Sequence, residues 1–397
     1  MATTAECIRR HSGPAVLSYG FRPFFLLAAV WAALAVAVWL PALAGSLVLP
    51  SAFSPLEWHV HELAYGYVPA VAAGFLLTAV PNWTGRLPVT GTPLLALVVL
   101  WAAGRVAILL SAVIGATAAA ATDLLFLAVL AGVIAREIIA GRNLHNLKVL
   151  ALLGLLFAGD VVFHLEAAQP GGGSGYGARI GIGAAILLIT LIGGRIVPSF
   201  TRNWLARERP AGRLPASYAP FDAVVIAGGA GAIASWIALP NATATAVLAA
   251  LAAVLHGLRL ARWAGYRTGR ERLVLVLHVG YAFVPVGFLL LALSIAAPGL
   301  VVASGALHSW TVGAIGTMTL AVMTRASLGH TGQPLVASPA TQAIYAGIVL
   351  AAVARVVVAF DVWRDALLPV SAALWVLAFA GFALAYGPLL VRPRDTV

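Results

Sequence analysis

Trp58-His59-Val60-His61-Glu62 sets two imidazoles and a carboxylate at the start of an apolar run that continues to Val80. Imidazole nitrogen and carboxylate oxygen are metal donors, and polar groups placed in hydrocarbon usually mark function. At roughly 100° per residue, His59 and His61 project roughly 200° apart on a helix and serve two different sites. A locally extended start would instead bring both to one metal, because alternate residues share a face in a strand. A third reading leaves both as interfacial histidines bonded to loop backbone. The spacing differs from the H-x-x-x-H of a zinc-binding helix.

The elements that must position these groups are membrane helices. The chain is 62% hydrophobic and only 9% charged, with a mean hydropathy of +0.99, far from a soluble balance. Apolar runs of about 20 residues are needed per crossing. Twelve are present, over 22–46, 60–80, 93–113, 117–139, 147–167, 180–200, 221–239, 243–262, 273–297, 300–324, 341–360 and 366–391. No gap between them holds a soluble domain, so residues 1–397 read as a single polytopic all-α membrane domain. The first run is too long for a signal peptide and lacks a small-residue cleavage site, so it is expected to stay in the mature protein. The single cysteine, Cys7, can form neither an internal disulfide nor a thiolate cluster. Any metal is therefore held by nitrogen and oxygen, which suits haem iron, copper or zinc.

The net charge of +11 orients the protein and needs no nucleic acid. Basic residues fill alternate connections: Arg9, Arg10 and Arg22; Arg86; Arg136, Arg142 and Lys148; Arg202, Arg207, Arg209 and Arg213; five arginines from Arg259 to Arg272; Arg325; Arg392 and Arg394. The connections between are nearly bare apart from Arg179 and Arg364. The positive-inside rule then puts both termini in the cytoplasm. On that orientation His59, His61, His164 and His308 gather in the outer half, and His256, His278 and His330 toward the inside. His145 and His11 are loop residues. His256 and His164 read equally well as packed, hydrogen-bonded residues.

Few charges lie within spans. Arg105 pairs most economically with Asp160 or Asp123, since an unpaired charge at that depth is expensive. Arg195 and Arg355 have no acidic residue within a helical turn and are candidates to meet an anionic ligand such as a haem propionate. Thr84, Thr201 and Thr324 close the second, sixth and tenth spans in similar surroundings. If they correspond, the chain is a pseudo-threefold repeat of four helices, the arrangement of the haem–copper oxidase core. Gly313 and Gly316 follow His308 on a helix where small residues leave room for a flat macrocycle.

The segments WHVHE (58–62), FLLTAVPNWTGR (75–86), GGRIVPSFTRNWL (193–205), LHVGYAFVPVG (277–287) and HSWTVGAIGTMTLAVMTRASLGHTGQPL (308–335) together resemble the NnrS family. The likeness runs from FRPFF at 21–25 to the end of the twelfth span. It implies a bacterial inner-membrane protein containing haem and copper, tied to nitric oxide metabolism, denitrification and resistance to nitrosative stress. Carried over position by position, the histidines of these motifs are His59, His61, His278, His308 and His330.

These observations lead to the expectation of a haem/copper protein that binds or processes nitric oxide or a related nitrogen oxide. His61 and His308 are the expected haem axial pair, with His59 facing a second site. His278 and His330 form an inner site, with His256 a further candidate. Glu62 orients an imidazole or relays a proton, and Tyr65 either bonds a bound ligand or belongs to an interfacial belt. Turnover would need quinol or an electron-donor protein, because the chain carries no c-type haem motif and no iron–sulfur cysteines; binding without turnover needs neither. The competing reading is a secondary transporter without redox cofactor, which twelve spans and a basic central loop at 201–220 also fit. A metal-dependent intramembrane hydrolase lacks its motif.

Overall fold

The computed structural model describes residues 12–169, 173, 175–208, 214, 215 and 218–393. Cys7, His11, Arg9, Arg10, Arg209, Arg213 and Arg394 lie outside the described residues. The described chain contains no strand, and twelve of its helices are long and apolar enough to cross a membrane. They are α1 Phe21–Leu43, α2 Pro55–Thr84, α3 Gly91–Leu109, α4 Ala116–Ala140, α5 Leu144–Ala167, α6 Tyr176–Glu208, α7 Pro220–Ala238, α8 Thr243–Arg267, α9 Arg272–Ala296, α10 Ala303–Thr331, α11 Pro339–Val358 and α12 Arg364–Val391. The chain is an all-α, multi-pass membrane protein. Helices are the economical solution because each satisfies its own backbone groups in hydrocarbon.

Contacts divide the chain into two compact units. The first comprises residues up to Ala184 with Ala326–Pro334 and the chain from Phe379 onward; the second comprises Ala185–Arg325 and Leu335–Ala378.

In the first unit, α2 starts five residues before the expected span, and the reason is local. The Ser54 side chain accepts from Glu57 N at 3.3 Å while Glu57 Oε2 accepts from Ser54 N at 2.9 Å. With Pro55 at the first helical position, this capping box nucleates the helix ahead of the histidines. Residues Pro55–His61 are α-helical, Glu62–Tyr67 form a π-helical turn, and Val68–Thr84 resume the α-helix. Such π turns disturb the backbone ladder and are frequent at functional sites. Here Gly66 O, inside the π turn, accepts from Trp101 Nε1 of α3 at 2.9 Å.

In the second unit, α10 repeats the device, with the α-helical segment Ala303–His308 followed by a π turn over Ser309–Gly316. The space beside its glycines is occupied: an added side chain at Gly313 would run into Phe283, and one at Gly316 into Trp375. Thr84, Thr201 and Thr324 each donate to the carbonyl four residues back. Thr78, Thr122 and Thr331 do the same, so this bond does not single out a threefold repeat of four helices.

Candidate metal centre

Four helices of the first unit bring ionisable side chains to one buried point. Because α2 is helical through both histidines, His59 and His61 diverge. His59 stacks on Trp39 of α1, with ring centroids 3.9 Å apart and planes at 20°. His61 turns the other way, is fully buried, and meets Asp123 of α4 and Asp160 of α5. Its Nε2 lies 3.1 Å from Asp123 Oδ2 and 3.2 Å from Asp160 Oδ1. His164, one turn after Asp160 on α5, places Nε2 3.2 Å from Asp123 Oδ2 and 3.7 Å from Asp160 Oδ1. These four donor atoms all lie within 4.8 Å of one another. Among the described residues, no other group of three or more His, Cys, Asp or Glu side chains converges in this way.

A surrounding layer holds the four in place. Glu62 Oε1 sits 3.1 Å from His61 Nδ1 and accepts from Arg105 Nη1 at 2.7 Å. The other arm of Arg105 bonds Asp123 Oδ1. Arg105 thus pairs with Asp123, as economy requires, and with Glu62. Phe53, Phe163 and Tyr65 wall the His61 ring at 5.1, 5.3 and 5.6 Å. Tyr65 is buried and donates its hydroxyl to Gly177 O at 2.6 Å, so it is neither an interfacial belt residue nor a donor aimed at the cluster.

The chemistry follows from donor counting. If Glu62 takes the Nδ1 proton of His61, Nε2 is a lone pair facing two carboxylate oxygens. Lone pairs converge at such distances only around a proton or a metal ion. The buried cluster also sets Glu62, Asp123 and Asp160 against one guanidinium, Arg105. With neutral imidazoles it carries two uncompensated negative charges, which a divalent cation cancels. Two imidazoles and two carboxylates form a nitrogen–oxygen set suited to first-row divalent ions. Glu62 behind His61 is the carboxylate that orients a metal-binding imidazole in many such sites.

The other expected site residues lie elsewhere. His330 is exposed at the end of α10 and packs near Tyr19 and Phe21, each at 5.5 Å, in the first unit. In the second unit His308 donates Nδ1–H to Ser304 O at 2.5 Å. There His278 Nε2 donates to Thr201 Oγ1 at 2.8 Å, because the Thr201 hydroxyl is itself given to Val197 O. Its Nδ1 has no hydrogen-bond partner and packs on Gly265. Arg195 and Arg355 are partly buried in the same unit.

The second unit has its own buried network around Arg259. The guanidinium donates to Asp222 Oδ1 at 2.8 Å, Thr190 O at 2.9 Å and Tyr281 Oη at 3.0 Å. Tyr281 passes its hydroxyl proton toward His256 Nδ1 at 2.9 Å. One cation faces one anion here, so the network is balanced without a further ion.

From sequence alone, Asp123 and Asp160 are expected partners for Arg105, and His164 is one of several outer histidines. Two signals pointed further: the Asp160/His164 spacing, which puts both on one helical face, and an excess of carboxylates over arginines in α2–α5.

The fold and site define a polytopic membrane protein with a buried histidine–carboxylate centre. The NnrS protein family matches residues 15–394, and the chain belongs to that family. A comparison with curated proteins finds no match.

Proposed function

We propose that this protein is a metal-dependent nitric oxide-binding protein of the bacterial inner membrane, with both termini in the cytoplasm, that protects against nitrosative stress. The observation that carries the proposal is the convergence of His61 Nε2, Asp123, Asp160 and His164 Nε2 in a buried cluster where three carboxylates face one guanidinium. Family membership supports nitric oxide, or a related small nitrogen oxide, as the ligand.

Of the two cofactors that the family likeness implies, copper fits this donor set. When bound, copper would supply a Lewis-acidic centre for a diatomic ligand and a one-electron couple. Around it, Glu62 fixes the His61 ring, Arg105 holds Asp123, and Phe53, Phe163 and Tyr65 keep the surroundings apolar. Haem does not fit at His61, whose two nitrogens face carboxylates at 3.1–3.2 Å and whose ring is walled by aromatics. Nor do the glycines after His308 leave a slot, since Phe283 and Trp375 stand against them. His59, His278, His308, His330, Arg195 and Arg355 have no part in the proposed nitric oxide site. Turnover would draw electrons from quinol or a donor protein.

One feature favours the secondary-transporter reading: a proton can occupy the position between His61 and the two carboxylates as readily as a metal. Metal analysis of the protein purified in detergent separates the two. The proposal expects one bound transition-metal ion per chain, lost in His61→Ala, with an absorption or EPR change on adding nitric oxide. Metal-free, folded protein that ignores nitric oxide after copper loading would sink it.

A further inference from the structure

The second unit contains a cavity of about 340 Å³, lined by Trp204, Leu205 and Glu208 from the end of α6, by Arg267 at the end of α8 and by Gly269 and Arg270 from the turn between α8 and α9. This volume falls within the roughly 300–1,000 Å³ of small-ligand sites. Helices six and eight end, and helix nine begins, on one side of the membrane, so the cavity opens at the boundary between hydrocarbon and water. Its composition is graded. Leu205 is buried and Trp204 partly buried, while Glu208 and Arg270 are exposed and Arg267 lies between. Trp204 and Glu208 are one helical turn apart on the same face of α6.

We propose that this cavity binds the headgroup of a phospholipid carrying a primary amine, of the phosphatidylethanolamine type. Two guanidiniums three residues apart make a phosphate site, because each presents a planar fork of donors. Basic pockets between membrane helices are common seats for lipid phosphates. Glu208 supplies what a simple phosphate site lacks: an acceptor-only carboxylate on the opposite wall, matched to an ammonium with three N–H donors. Trp204 and Leu205 face the start of the acyl chains. A glycerol headgroup leaves Glu208 without a cationic partner, and a choline headgroup offers it no N–H.

The test is native mass spectrometry of the full chain released from detergent, titrated with phosphatidylethanolamine, phosphatidylglycerol and phosphatidylcholine of identical acyl composition. The proposal expects several-fold preferential retention of phosphatidylethanolamine. Glu208→Gln abolishes that preference over phosphatidylglycerol, and the double variant Arg267→Ala/Arg270→Ala loses tight binding of all three. Soluble phosphoethanolamine at equal concentration should not displace the lipid; displacement would mean that a free phosphate ester is the ligand and would overturn the proposal. So would equal retention of the three lipids, or a wild-type order of preference in Glu208→Gln. The substituted side chains lie at the surface end of the helices, so circular dichroism of each variant should match wild type.

Discussion

Asp160 and His164, one turn apart on α5, deliver Oδ1 and Nε2 to within 3.7 Å of each other, aimed at the same point as His61 Nε2. Two residues of a single helix thus supply half of a site whose other half comes from α2 and α4. This makes the α5 pair the cleanest handle on the metal centre.

Asp160→Asn and His164→Gln each keep the size of the side chain while weakening a donor. Both should lower the bound metal of purified protein well below one ion per chain and leave the helical circular dichroism unchanged. Retention of full metal in both variants would mean that the ion is bound elsewhere in the protein.

Glu62→Gln keeps an acceptor for His61 Nδ1–H but removes the charge behind the ring. Loss of such an orienting partner typically lowers metal affinity about 10–100-fold. A competition titration against a chelator of known affinity reads this directly; an unchanged affinity would show that Glu62 serves only Arg105.

Arg105→Met leaves Glu62 and Asp123 buried without their cation. Stranding one side of a buried ion pair costs about 3–5 kcal/mol. The variant should lose thermal stability in detergent, and excess divalent metal should restore part of it by supplying positive charge to the same cluster. A variant as stable as wild type would contradict the electrostatic account.

Gly66 in the π turn has no room for a methyl group: a Cβ there would stand 2.5 Å from Arg105 Nη1 and 2.9 Å from Glu62 Oε2. Gly66→Ala should destabilise by about 1–3 kcal/mol through overpacking and reduce metal binding with it. Gly154→Ala on α5, where an added Cβ meets nothing within 4 Å, is the control. It should be neutral or stabilising by up to about 1 kcal/mol, since glycine is a poor helix former.

Trp101→Phe removes the indole donor to Gly66 O, a buried hydrogen bond onto the π turn. A cost of about 0.5–1.5 kcal/mol is expected for the lost bond. Hydrogen exchange should show faster opening confined to Glu62–Tyr67. Uniform exchange across α2 would assign the π turn to some other contact.

Composition and run length alone determined that this is a helical membrane protein and how many times it crosses, because an apolar run of that length has no other stable place for its backbone groups. The same depth argument drew attention to His61 and Glu62, since a polar side chain in hydrocarbon demands a partner whatever the fold. Where α2 starts was a local matter, set by Ser54, Glu57 and Pro55 ahead of the apolar run. The company His61 keeps was decided only by the tertiary structure. Asp123 lies 62 positions from it and Asp160 lies 99, and nothing in helical periodicity states which faces of four apolar helices meet. That choice rests on close packing and on the π turn after His61. By the same packing His59, two residues away, went to Trp39, and His278 and His308 went to partners in the second unit.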